Sequence, residues 1–231
     1  MEEFKEYFDS IISFMDSHFP DINKEEIRNL IEKEYGNIIP LLPDIGGNKN
    51  IMTPLLINSV PALAVMRALE LKGIAIRDIG EFYYDWYETV FELLIRSAKS
   101  NNTEVQNILL SKSGMFNKET LDILKIGAKA SQSRTYLEDF VYEFVEGDGE
   151  TFDYGINFTE CAVHKFYKKL NAEKFLSFGC MSDFAMARAA GYGFTRTQSI
   201  WNGAPFCDFR YIKEGNTLRG WPLENLPEFK N

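Results

Sequence analysis

The hydrophobic period of this chain changes near residue 138, and that change decides what it can fold into. Upstream of it, apolar residues recur at helical spacing. Residues 2–18 place Phe4, Phe8, Ile11, Ile12 and Met15 on one stripe. Asn23 followed by Glu26 predicts the start of a second helix reaching about residue 38, because an Asn side chain accepts from the orphan amides of a first turn. Pro40, Pro43, Gly46 and Gly47 break the chain into a loop. Thr53-Pro54 then opens a third helix through the apolar stretch 55–71, with a kink at Pro61 left open and a stop near Gly73. Further helices are expected over 78–98, 103–112 and 117–131.

Downstream the pattern alternates. Phe140, Tyr142 and Phe144 interleave with Val141 and Glu143, which suits a strand. Gly147-Asp148-Gly149 reads as a turn and 151–157 as the returning strand. A helix is expected over 159–170 with Thr159 as its cap, then an extended run at 174–179 and a helix at 183–190. Two last strands, 193–200 and 206–212, are joined by the loop Trp201-Asn-Gly-Ala-Pro205. The predicted fold class is therefore α+β: a helical N-terminal half packed with an antiparallel sheet and helices in the C-terminal half. No Gly-Pro linker near 135 separates two units. Residues 1–231 are expected to form one domain, helical over 1–135, α+β over 136–215 and irregular in a tail over 216–231.

Charge and composition narrow the partners. The net charge is −9, which argues against broad nucleic-acid binding but leaves room for a locally basic pocket for a small anion. The first residues lack a basic segment followed by a continuous apolar one, so no signal peptide is read there. No apolar run is read as long enough to span a bilayer, and no membrane partner is expected. Three cysteines make an odd count with no disulfide framework, and reduced thiols in the cytoplasm are the simplest expectation. A homo-oligomer is left open.

Those cysteines carry the chemical argument. All lie in the last third, in Cys161-Ala-Val-His164, Cys180-Met-Ser-Asp183 and Cys207-Asp208-Phe209-Arg210. Cys161 and His164 fall on the side of their helix opposite Ala162, Val163, Phe166, Tyr167 and Leu170. That face is either solvated or the lining of a cleft. Cys180 is expected where an extended run passes into a helix. There, helix amides lower a thiol pKa and Asp183 stands close enough to orient water; the alternative is a small buried hydrophobe. Pairing the last two strands through their loop sets Ser199 near Cys207 and Arg196 near Arg210. One face then holds Arg196, Gln198, Asp208 and Arg210, and the other Thr195, Thr197, Ser199, Cys207, Phe209 and Tyr211. Asp208 either pairs with an arginine or leaves that arginine to clamp a substrate carboxylate. Cys161, His164, Cys180 and Cys207 also sum to a zinc complement, but their spacing supports it poorly, and no metal or other cofactor is expected. His18 reads as a capping or surface residue. Neither Gly46-Gly47 nor Gly191-Tyr-Gly193 follows a phosphate-loop pattern, and no Gly-x-Ser-x-Gly or HExxH motif occurs.

The C-terminal string resembles the L-2-amino-thiazoline-4-carboxylic acid hydrolase family. The matching stretches are Phe178-Gly-Cys180-Met-Ser-Asp183, Phe194-Thr-Arg196-Thr197, and Asn202-Gly203 leading into Cys207-Asp208-Phe209-Arg210. The segment from Gly155 to Cys161 and, more loosely, residues 40–48 and 62–73 add to it. Thr197-Gln198-Ser199-Ile200 departs from the Thr-Leu-Ala-like run expected of the family. The resemblance implies a ring-opening hydrolase whose substrate is a small cyclic isothiourea bearing a carboxylate. Water adds at the carbon between sulfur and nitrogen, giving a carbamoyl-cysteine. Cast in those roles, Cys180 and Asp183 are catalytic, as nucleophile or pocket thiol and as general base. Arg196 or Arg210 binds the carboxylate, while Thr197, Asp208, Cys207, Cys161 and His164 line the site. A binding domain without turnover and a zinc-stabilised scaffold are the rival readings.

Overall fold

The computed structural model describes residues 4–101 and 111–230. The N-terminal half is helical: α1 Lys5–Phe14, α2 Lys24–Ile38, α3 Thr53–Leu71 and α4 Ile76–Asn101, then α5 Lys112–Met115 and α6 Lys118–Ser131. The helix expected over 103–112 lies outside the described residues but for its last two positions. Asn23 caps α2 by accepting from the amides of Glu25 and Glu26. α3 carries Pro61 inside the helix and ends before Gly73, whose φ of +80° suits only glycine without strain. The expectation that no apolar run reaches membrane-spanning length is corrected. Thr53–Leu71 is long and apolar enough, and 61% of that window is buried within the protein. Leu63, Ala64, Val65, Met66, Ala68 and Leu69 have no accessible surface, so this helix is apolar because other elements surround it.

The C-terminal half contains β1 Val141–Glu146, β2 Tyr154–Glu160, α7 Ala162–Lys169, α8 Leu176–Cys180, α9 Ser182–Ala190, β3 Gly193–Thr195 and β4 Cys207–Ile212. The four strands form one antiparallel sheet in the order β1-β2-β4-β3. The returning strand of the hairpin starts at 154 instead of 151. Asp148 accepts from the amides of Glu150, Thr151 and Phe152, which holds those residues in the turn. β2 then runs on to Glu160, so α7 starts after Cys161. Thr159 remains in the strand, donating to the Val141 carbonyl, and does not cap the helix.

Two further expectations fail for physical reasons. Residues 174–179 are not extended: a 3-10 turn over Glu173–Phe175 leads into α8. Ala172, Phe175 and Leu176 are buried at helical spacing, and this spacing outweighs the short run read as a strand. The strand expected over 193–200 stops at Thr195. It pairs with β4 as Thr195↔Arg210 and Phe194↔Tyr211, one residue away from the predicted register. A one-residue slip moves every side chain to the opposite face. Arg196 therefore lies with Phe209, not with Asp208 and Arg210; its guanidinium is 5.3 Å from the Phe209 ring and 5.4 Å from the Phe184 ring.

The tail is irregular but anchored. A 3-10 turn over Pro227–Phe229 delivers Glu228, whose side chain has no accessible surface, to the equally inaccessible Arg196. Arg196 donates to Glu228 through Nε at 2.9 and 3.1 Å and through Nη2 at 2.7 Å. Asn202 donates to the Glu228 carbonyl, and Trp201 packs on Phe229. On the other side of the site, α4 packs along α9 and comes within reach of α8 through Gly80. A Cβ at Gly80 would meet the Phe178 ring at 2.6 Å.

Two expected outcomes follow. Glu228→Ala leaves a buried guanidinium without its counter-charge and lowers stability by about 3–5 kcal/mol in chemical denaturation. Gly80→Ala forces α4 and α8 apart and costs about 1–3 kcal/mol by the same measurement. A loss within the ordinary surface range of ~0.5 kcal/mol for either variant would contradict the packing described.

Candidate functional site

Five of the residues singled out in the sequence come together. Cys161 is the residue before α7, Cys180 ends α8, Asp183 stands in the first turn of α9, Arg196 follows β3, and Cys207 opens β4. The cysteines are unpaired thiols. Their proximity shows in their electrostatics: a charge on Cys161 or Cys207 opposes one on Cys180, and Cys161 likewise opposes Cys207. Asp183 and Arg196 act on Cys180 as well. Arg196 Nη1 points at the Cys180 carbonyl and at Asp183 Oδ2, both at 3.5 Å.

Asp183 is the most unusual group. Its side chain keeps 30% of its surface, yet burial pushes its pKa up to about 6. Arg196 pulls in the other direction and Glu228 adds to the rise. Its carboxyl is thus desolvated by the protein around it while part of its side chain still reaches solvent. A carboxyl with its pKa near neutrality can exchange a proton at physiological pH.

The thiols behave differently from expectation. Cys180 ends α8 and stands just before the start of α9 at Ser182, so the expected helix start is there but a helix, not an extended run, leads into it. Burial raises its pKa well above the ordinary thiol value, against a smaller opposing pull from Arg196. Cys207 is pushed up to about 11, again chiefly by burial, while its sulfur accepts from the Ile200 amide at 3.2 Å. Cys161 is also raised by burial, although the amides of His164 and Val163 face its sulfur and draw the value back. At neutral pH all three are thiols, soft and weakly polar.

Four candidate residues are elsewhere. Asp208 accepts from Thr197 N at 2.8 Å, Gln198 N at 2.9 Å and Thr197 Oγ1 at 2.5 Å, so it fastens the strand end and, among the described residues, pairs with no arginine. Thr197 is spent in that clasp. Arg210 projects from the same sheet face as Asp208, donates to Asn157 Oδ1 and packs over Phe152. His164 is half-buried on α7: its amide faces the Cys161 sulfur, while burial lowers its imidazole pKa, with Lys168 adding to the effect. The zinc set is not assembled: among the described residues no group of three or more His, Cys, Asp and Glu is placed to hold a metal ion.

Sequence reasoning missed Glu228 and the tyrosines. Tyr87 on α4 feels charge on both Asp183 and Cys180, and hydrogen-bonds towards Ser182 and Tyr83. Tyr83 in turn bonds to Tyr7 of α1. Tyr167 on α7 feels charge on Cys180 and donates to the Ser59 carbonyl at 2.8 Å. Tyr83 and Tyr87 stand four apart on one helix face, a signal the sequence did hold. Two cavities lie apart from the cluster. One, about 340 Å³, is lined by Glu88, Arg188 and Thr217; the other, about 380 Å³, lies between the 45–52 loop, α6 and residues 133–142.

Comparison with curated proteins and with solved structures finds no match. The sequence profile of one family does match, over residues 67–211, a span that contains Cys161, Cys180, Asp183, Arg196 and Cys207. The chain belongs to the L-2-amino-thiazoline-4-carboxylic acid hydrolase family.

Proposed function

We propose that this protein hydrolyses a small cyclic amidine- or isothiourea-type carboxylate, such as 2-aminothiazoline-4-carboxylate, and that Asp183 is its general base. The observation that carries this reading is the carboxyl of Asp183, partly accessible, 3.5 Å from the buried Arg196 and close in sequence to Cys180, with burial raising its pKa towards neutrality. Deprotonated, it accepts a proton from water as the oxygen attacks the carbon between sulfur and nitrogen. Protonated, it returns that proton to the ring nitrogen or sulfur as the C–N or C–S bond breaks. The family name supports the substrate class.

The raised pKa of Cys180 redirects its role. A thiol held protonated is a poor nucleophile at neutral pH, so the covalent route is disfavoured and water is the attacking species. Cys161, Cys180 and Cys207 then supply a polarisable wall for the ring sulfur. Arg196 has most of its donors on Glu228, and Arg210 lies on the other sheet face, so neither is placed to take the substrate carboxylate. Three free thiols also suit a reducing, cytoplasmic setting. The unactivated state of Cys180 lends weight to a second reading, ligand binding without turnover. A raised melting temperature with aminothiazoline carboxylate but no product would identify it.

In a turnover assay following loss of the ring, Asp183→Asn is expected to lose about 10²–10⁴-fold in rate. Cys180→Ser is expected to retain most of it, because no thiolate is needed. The wild-type rate should rise with pH through about 6, since the base works only when deprotonated. Full activity in Asp183→Asn, or a rate that falls as pH rises from 5 to 7, would sink the assignment. With iodoacetamide at pH 7.5, Cys180 should react more slowly than a free thiol and gain speed only in alkaline solution. Rapid alkylation at neutral pH would show an activated nucleophile instead.

A further inference from the structure

Glu228 lies outside the stretch that the family profile matches, in a tail that the sequence marks only by prolines. Its carboxylate nevertheless reaches the centre of the site. Arg196 is fully inaccessible and has two edges on Glu228, Nε at 2.9 Å and Nη2 at 2.7 Å. Only Nη1 faces Asp183, at 3.5 Å, a distance that is long for a charge-assisted bond. Without Glu228, the carboxylate left beside this buried guanidinium is Asp183. The two acids thus compete for one arginine, and the geometry gives it to the tail.

We propose that Glu228 is a positioning residue of the site: by occupying Arg196 it prevents a full Arg196–Asp183 pair and leaves the Asp183 carboxyl free to act on a bound molecule. This rests on the reading of Asp183 as the working acid. The tail segment is held for the task by Asn202 on the Glu228 carbonyl at 2.8 Å and by Trp201 against Phe229. The other titratable groups facing Asp183 are Tyr87 from α4, Cys161, Cys180, Tyr192 and Tyr211. Each of these is neutral in the range where Asp183 titrates, because burial raises every one. Arg196 and Glu228 are therefore the charges that set it.

Carbon-13 NMR of the full chain, with the Asp183 carboxyl assigned by its loss in Asp183→Asn, reads the effect without substrate. In Glu228→Gln the midpoint of Asp183 is expected to fall by about one pH unit or more, as Arg196 turns to it. In the double variant Arg196→Met with Glu228→Met both charges go, and the midpoint is expected to rise, because Arg196 is the larger of the two influences. A role confined to stability would lower the melting temperature and leave the midpoint where it is. A folded Glu228→Gln protein with an unmoved Asp183 overturns the proposal. If that variant does not fold, Glu228→Asp, which keeps the charge but shortens its reach to Arg196, decides: a fall in the Asp183 midpoint supports the proposal and an unmoved midpoint overturns it. Turnover does not enter this readout. A wild-type protein that never opens an aminothiazoline ring would refute the reaction assigned above, while the titration would still judge Glu228.

Discussion

A guanidinium with no accessible surface must find its counter-charge inside the protein, and in this chain that requirement organises the functional end of the fold. Removing Arg196 and Glu228 from water costs several kcal/mol for each ion, and three short hydrogen bonds return most of it. The net gain in stability from such a pair is small. Its effect on shape is large, because breaking it leaves a naked charge. The pair fixes the end of β3, brings the tail across the sheet edge and sets the distance from Arg196 to the first turn of α9. The rings of Phe184 and Phe209, 5.4 and 5.3 Å away, pack against the guanidinium and help hold it in place.

That arrangement explains the electrostatic character of the cluster. The same burial that desolvates Asp183 also desolvates the three sulfurs, but with opposite chemical consequences. A carboxyl raised to about 6 becomes useful at neutral pH, whereas thiols raised from their ordinary value become inert. On the reading proposed above, Asp183 serves as the acid–base group and the thiols as a polarisable wall, with no thiolate required. Water addition to an electrophilic carbon needs the carboxyl and not an activated sulfur.

How much of this was legible depended on whether a residue announced itself through a period. The helices of the first half did, because their apolar positions repeat every three to four residues over three or more turns. Asn23 and Gly73 marked ends correctly through cap chemistry, while Thr53-Pro54 marked the start of α3 with Pro54 at the second helical position and no side-chain cap. α8 is only five residues long, too short for a period to build up. The β3–β4 register failed by one residue because the connecting loop was counted as belonging to two long strands. β3 in fact stops at Thr195, where Asp208 captures the amides of Thr197 and Gln198. That single slip put Arg196 beside the wrong neighbours. Glu228 was illegible for another reason: one acid among prolines has no pattern, and its partner is 32 residues away in the chain. The gathering of Cys161, Cys180, Asp183 and Cys207 was anticipated from their motifs, but which arginine joined them was decided by tertiary packing.

The central claim is that a small cyclic carboxylate is received where these sulfurs and Asp183 meet. Titration of 2-aminothiazoline-4-carboxylate into nitrogen-15-labelled protein tests it most directly. The amide signals that move should be those of residues 161–164, 180–183, 196 and 207. Shifts confined to the 340 Å³ cavity beside Arg188, or to the 380 Å³ cavity between the 45–52 loop and α6, would place the ligand elsewhere and contradict the account.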